Sequence, residues 1–474
     1  MSDGIGTRLD RFFEVTARGS TVGTELRGGL VTFIAMAYIL VLNPIILSSA
    51  ADVDGHRLGF AQVSAVTALA AGVMTVVFAV VARLPFAFAA GLGINSFLAS
   101  SVVGSLTWAE AMGLVVVNGL IIVAMAATGV RKMVFDAVPI QLKLAITAGI
   151  GLFILFIGLV NAGFVAATGS PSPPVGLGPQ GAGSINGAPT AVFIVTLLVT
   201  GVLIVRNVRG AILIGLVTGT VLAVAVEAIW HLGPASEHPG GWRLSVPSLS
   251  GSPVAVPDLS LLGDVSFGGF GRIGALAALM LVFTLVFTNF FDAMGTFTGL
   301  SRQAGLADAD GNFPRLQSAL VIEGTGAVVG GLASASSNTV FVESGSGIGE
   351  GARTGLAGIT TGLLFLSAMF LTPVAEIVPS EVAAAALVVV GAMMAGNLRD
   401  IDLSDFSVAL PVVLTVAVMP LSYSIANGIG VGFVSWVVIR SAAGRAREIN
   451  PLLWVVAAGF LLFFVRDSLG TLFG

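Results

Sequence analysis

The sequence contains no cysteine, which excludes a disulfide framework, a thiolate metal site and a thiol nucleophile. Histidine is nearly absent too: the 3 present, His56, His231 and His238, lie in or beside polar stretches. No haem or zinc centre, and no other metal or cofactor, is therefore expected. Charge is the third scarcity. Only 10% of the 474 residues are charged, against about 25% in soluble domains. So few charges cannot cover a water-facing surface, and most of this surface must face lipid. The net charge of −4 says little, because in a membrane protein the placement of charge matters more than its sum. No nucleic-acid partner is expected.

What is present fits that setting. Hydrophobic residues make up 56% of the chain, with 62 glycines and 19 prolines, and mean hydropathy is +1.01. Gly and Pro are commoner in membrane helices than in soluble ones, since small residues let helices approach closely. Residues 1–25 are polar and mixed in charge, so the first apolar run is expected to be a retained span and not a cleaved leader.

A helix crosses the hydrocarbon layer in about 20 apolar residues. Segments of that kind fall near 27–48, 61–82, 87–103, 108–128, 139–160, 189–206 and 210–231, then 273–299, 316–333, 338–350, 355–373, 381–397, 405–421 and 425–440. The expected fold class is an all-α polytopic membrane protein of about 14 transmembrane segments; a further apolar stretch at 452–466 is too short to count. With the N-terminus in the cytoplasm of a cell whose inner (plasma) membrane it spans, only Arg57, Arg243 and Arg272 of the 21 Lys and Arg fall outside, Arg466 being unassigned. That is a strong positive-inside bias. The chain then divides into a cytoplasmic N-terminal segment (1–26), a first repeat (27–231), an extracytoplasmic loop (232–272), a second repeat (273–440) and a C-terminal segment (441–474).

Two segments are abnormal. Residues 87–103 (AFAAGLGINSFLASSVV) and 338–350 (NTVFVESGSGIGE) are short and carry Gly and polar residues. Each is the third of its seven, and seven crossings force the two halves into inverted orientation. Broken helices at matching positions point to a transport site, because irregular backbone at membrane depth needs protein or a water-filled cavity around it.

Ionisable groups inside spans are costly and usually functional. Asp292, Glu323 and Glu343 lie well inside, and no Lys, Arg or His shares a segment core with Asp292 or Glu343. A carboxylate there can take up a coupled proton and can accept ring N–H groups of a planar heterocycle. Glu323, nearer the inner third, could instead meet Arg315 or a helix end. Asn95 is the polar centre of the third segment, with both a donor and an acceptor. Half-helix N-termini aimed at the midplane would favour an acceptor-rich ligand. Phe290, Phe291 and Phe341 could stack on a flat base, although core or lipid packing is the commoner role of any one membrane Phe.

At these motifs the chain resembles the nucleobase–cation symporter family, in its AzgA-like purine permease branch. The resemblance covers TFIAMAYILVLNPIIL (32–47), GLGINSF (91–97), NFFDAMGT (289–296), VESGSGIGEGARTGL (342–356) and the ending SIANGIGVGFVSWVVI. It implies two inverted seven-segment repeats, a core domain of the first four segments of each and a gate domain of the last three. It also implies that the third and tenth segments are half-helices preceded by short strands. It implies proton-coupled import of hypoxanthine, guanine or adenine by an elevator-type movement, with a homodimer through the gate domain. Asp292 and Glu343 match the family's substrate-contacting acids and Asn95 its polar residue of the third segment, while Ser337 and Thr339 lie in the strand before the tenth half-helix. The chain departs at Ala293, where relatives usually have Thr, at Asn289, often acidic, and at Phe341, often Tyr. A uracil or xanthine permease of the same fold is the alternative, and an anion transporter of similar architecture is a more distant one. An enzyme is not expected: no His lies at membrane depth, and no Asp pair recurs at matching depth.

Overall fold

The computed structural model describes residues 5–473 apart from 130–136, 171, 179–180, 182, 186, 239, 249–251 and 308–312, and gives only the backbone of 5–8, 291, 298 and 466–473. Phe291 therefore lies outside the described side chains. After a short amphipathic helix, Ile5–Phe13, the order is α1 (Val22–Met36), α2 (Ile39–Ser49), α3 (Phe60–Val81), β1 (Phe88–Ala90), α4 (Leu92–Phe97), α5 (Trp108–Thr128), α6 (Ile140–Asn161), β2 (Val165–Ala167), β3 (Val175–Leu177), α7 (Ala188–Val205) and α8 (Ala211–Trp230). Then come α9 (Ala275–Gln303), α10 (Leu316–Leu332), β4 (Asn338–Val340), α11 (Ser344–Gly349), α12 (Gly355–Ala368), α13 (Ser380–Ala395), α14 (Phe406–Leu421), α15 (Ile425–Ala442) and α16 (Pro451–Phe473). Among the described residues, 10 helices are long and apolar enough to cross a membrane. The chain is a multi-pass membrane protein.

Three boundaries differ from expectation, each for a local reason. The first span starts at Val22, inside the supposed polar tail, because the Thr21 hydroxyl accepts from the Thr24 N–H and caps it. It then breaks at Ala37–Tyr38 and resumes as α2, which carries Pro44. Proline cannot donate to the carbonyl four residues back; that carbonyl, on Leu40, takes the Ser64 hydroxyl at 3.0 Å. The connection between α6 and α7 contains the antiparallel hairpin β2–β3. The stretch at 452–466 belongs to a helix of 23 residues, α16, packed on α9 and α15.

Glycine sets how the helices pack. α3 lies on α12, α5 on α10 and α6 on α13. A Cβ on Gly119 of α5 would lie 2.5 Å from Val328 N, and one on Gly324 of α10 would lie 2.6 Å from Val123 N. Gly391 and Gly151 meet likewise, with a Cβ on the former 2.5 Å from the carbonyl oxygen of the latter. Backbone touches backbone at each crossing, and dispersion at such contacts holds helices together where lipid removes the hydrophobic drive. Around these crossings α1 packs on α12, α9 on α5, α7 and α8 on α13, and α14 and α15 on α6.

Candidate functional site

The site begins with two three-residue strands. β1 and β4 pair antiparallel, Phe88 opposite Val340, Ala89 opposite Thr339 and Ala90 opposite Asn338. Two more backbone bonds extend the ladder, Phe341 N–H to Ala87 O and Gly91 N–H to Ser337 O, both 2.9 Å. All six strand residues are buried, so each backbone polar group needs a partner. The Thr75 hydroxyl accepts from Phe88 N–H at 2.9 Å and faces its carbonyl at 3.2 Å. The Ser344 hydroxyl accepts from Ala87 N–H at 3.0 Å. Each strand feeds its own short helix, α4 or α11, from opposite ends of the ladder.

Glu323 serves this same ladder. Its carboxylate takes the Thr339 hydroxyl at 2.7 Å and the Val340 N–H at 3.3 Å. Arg315, the partner considered from the sequence, instead donates to Val81 O. Removing the acceptor in Glu323→Ala strands two buried donors, at about 1–3 kcal/mol each. A drop in the melting temperature of the purified protein, smaller for Glu323→Gln, is the expected result.

The turn before β4 is held open by strain. Ser334 and Ser336 have φ of 53° and 69°, a left-handed conformation that costs non-glycine residues about 1–3 kcal/mol. Asn43 of α2 secures it, donating to Thr67 Oγ1 at 2.7 Å and to Ala335 O at 3.1 Å.

Glu343 immediately precedes α11 and is half-buried. It accepts the hydroxyl of Tyr38, a fully buried residue at the break between α1 and α2, at 2.5 Å. Asp292 lies on α9, which packs on α4, β4 and α11. Among the described residues no hydrogen-bond donor and no cation partners Asp292. Along its helix face, Gly295 and Gly299, three and seven positions on, have nothing among the described residues within 4 Å of a built Cβ.

The other expected residues divide. Asn95 is fully buried, and neither atom of its amide has a protein partner; the Ser337 hydroxyl is in the same condition. Buried polar atoms rarely stay unpaired, so both positions suit a ligand or water. Thr339 is committed to Glu323. Phe290 and Phe341 are buried in the main apolar cluster. Ala293 is enclosed by an apolar group with Phe78, Phe86, Phe88 and Phe297. Asn289 is buried with both amide atoms unpaired.

Sequence reasoning missed Tyr38 and Glu25. The chain has 2 tyrosines, and one placed mid-span, away from the interfacial belts where Tyr concentrates, was the available signal. Glu25, assigned to a polar tail, is fully buried. It caps α12 by accepting from Arg353 N–H at 2.8 Å and Thr354 N–H at 3.2 Å. Two features flank the site. A cavity of about 320 Å³ separates Ser100 and Ser101 from the α14–α15 turn at Ser422, Tyr423 and Ser424. An ion pair joins Arg209, before α8, to Glu350 after α11, which also meets Arg27 at 3.1 Å.

Comparison with known proteins gives consistent matches. The Permease family description matches residues 23–431. The guanine/hypoxanthine permease PbuG of Bacillus subtilis is 36% identical over 462 residues, 96% of this chain and 99% of that protein. The adenine permease AdeP of Escherichia coli is 34% identical over 459 residues, 96% of each. Among solved structures, the transmembrane domain of a cyanobacterium bicarbonate transporter, BicA, superposes with a TM-score of 0.61 over 85% of this chain and 97% of that one. At 17% identity that likeness concerns the fold alone.

Proposed function

The chain belongs to the Permease family and is a transporter rather than an enzyme; from that premise we propose that it imports purine nucleobases with protons. The observation that carries this reading is the pair of intramembrane acids, Asp292 on α9, which packs on both short helices and β4, and Glu343 at the start of α11, in a chain whose full-length relatives include guanine/hypoxanthine and adenine permeases. The two carboxylates accept ring N–H groups of the base. Asn95 and Ser337, whose side-chain polar atoms have no protein partner, complete the polar lining. Asp292 and Glu343 carry the coupled proton; Glu323, bonded to β4, couples protonation to the strand pair. With no cation beside either acid among the described residues, an anionic substrate is disfavoured.

The proposed architecture is two inverted seven-segment repeats within the multi-pass inner-membrane fold, N-terminus in the cytoplasm. The packing supports it. If α1 with α2 answers to α9, and α3–α8 answer in order to α10–α15, the contact of α5 with α10 mirrors that of α12 with α3. The contact of α1 with α12 mirrors α9 with α5, and α7 with α13 mirrors α14 with α6. α6–α13 and β1–β4 are their own mirrors. The core domain is then α1–α5 with α9–α12, and the gate is α6–α8 with α13–α15. The exposed apolar faces of α7 and α8, including Leu198, Val205 and Val221, offer the gate-side surface for a homodimer.

An elevator movement slides the core against the gate, and the Arg209–Glu350 pair spans that boundary. Because the chain has no cysteine, Arg209→Cys with Glu350→Cys gives a unique pair. A short bismaleimide across it is expected to stop uptake; unimpaired uptake by the linked protein would contradict the sliding movement.

The substrate is tested by uptake of labelled hypoxanthine in cells lacking their own permeases. Competition by adenine or guanine and abolition by a protonophore are expected. Competition only by uracil or xanthine would replace the purine reading with the alternative.

A further inference from the structure

Glu343 does not stand alone at the proposed site. Its Oε1 receives the Tyr38 hydroxyl at 2.5 Å across 305 residues of sequence. Tyr38 is 1% exposed, while Glu343 is half-buried, so the phenol grips the acid from its enclosed side.

The backbone around Tyr38 is built to hold it still. The chain turns at Ala37–Tyr38, and the Tyr38 carbonyl then starts α2 by accepting from Leu42 N–H at 3.0 Å. One turn further on, Asn43 ties α2 to Thr67 of α3 and to the turn before β4. The Ser64 hydroxyl occupies the carbonyl that Pro44 leaves free. The tyrosine is therefore anchored to the same α2–α3–β4 unit that carries Glu343.

We propose that Tyr38 is a positioning residue for Glu343, occupying Oε1 and leaving Oε2 as the acceptor for an N–H of the transported base. This deepens the proposed function and rests on it for the identity of the base. A phenol suits the task because its O–H can donate to a carboxylate oxygen and to the carbonyl oxygen of the protonated acid alike. With Glu343 ionised, Tyr38 donates to it. When Glu343 takes a proton from water on Oε2, Oε1 remains a carbonyl oxygen that still accepts the Tyr38 O–H, and the proton later returns to water. The pair stays bonded in both states, so loading a proton does not strand a polar atom. Phenylalanine keeps the ring and loses this function in both.

The test is chemical labelling of Glu343 by dicyclohexylcarbodiimide, which reacts with protonated carboxyl groups in apolar surroundings. It is read by mass spectrometry of full-length protein in membranes at pH 7. Tyr38→Phe removes the donor that favours the ionised form, and labelling of Glu343 is expected to rise several-fold. Labelling of Asp292 in the same sample reports that the site is intact. Tyr38→His, which returns a ring N–H donor, is expected to bring labelling of Glu343 back toward wild type. In uptake, Tyr38→Phe is expected to raise the hypoxanthine KM about tenfold with Vmax retained. A purely structural role would lower Vmax at unchanged KM. Unchanged labelling of Glu343 in Tyr38→Phe would overturn the positioning role whatever the substrate. Labelling that rises in the variant, but that hypoxanthine protects in neither protein, would uphold the positioning role and reject the purine.

Discussion

Glu343→Gln is expected to abolish hypoxanthine uptake, by about a hundredfold or more, while leaving the protein in the membrane. Charged hydrogen bonds contribute about 1.5–3 kcal/mol each, and a buried site that loses a required partner discriminates more steeply than its bond energy suggests. The amide keeps one oxygen, which Tyr38 already occupies in the acid at 2.5 Å. The other position becomes an NH₂ that faces the N–H of the base, donor against donor. The amide also cannot carry a proton. Initial uptake rates normalised to membrane-inserted protein check this. Glu323→Gln provides the contrast, because Glu323 is bonded to Thr339 and Val340 and its loss acts first on stability. Wild-type uptake by Glu343→Gln would remove this acid from the mechanism.

A large effect on folding is expected at Gly324. A Cβ there would lie 2.6 Å from Val123 N and 3.0 Å from Gly119 O, so the obstruction is backbone and cannot swing aside. Gly324→Leu must force α5 and α10 apart. Overpacking ordinarily costs about 1–3 kcal/mol, and an obstruction by main chain belongs at or above the top of that range. Loss of the monodisperse peak in size-exclusion chromatography is the expected result. Gly201→Ala makes the control: it lies in α7 with nothing within 4 Å, and replacing a helical glycine by alanine is expected to leave the melting temperature unchanged or raised. Equal behaviour of the two variants would show that the α5–α10 contact does not limit assembly.

Much of this arrangement could be read in the chain. Asn95 and Glu343 sit among glycines in segments too short and too polar to be plain helices, and those segments are the two that form the strand pair and its short helices. Asp292 stood out because a carboxylate in an apolar run has no local neighbour to neutralise it, and no cation meets it in three dimensions among the described residues. What could not be read depends on long-range contact. The partner of Glu323 is the strand Asn338–Val340, too short to carry an alternating pattern; its position follows from the left-handed turn at Ser334 and Ser336. Glu25 resembles a surface acid in a polar tail, and only the arrival of Arg353 and Thr354 beside it makes it a buried helix cap. Tyr38 looks like one more large residue in TFIAMAYIL until Glu343 is brought to it.

The most direct test of the account is a density map of the purified protein with hypoxanthine bound. The base is predicted beside the β1–β4 ladder, within hydrogen-bond distance of Glu343 and Asp292, with Tyr38 still on the far oxygen of Glu343. A base bound elsewhere, with Asp292 and Glu343 facing only protein or water, would contradict it.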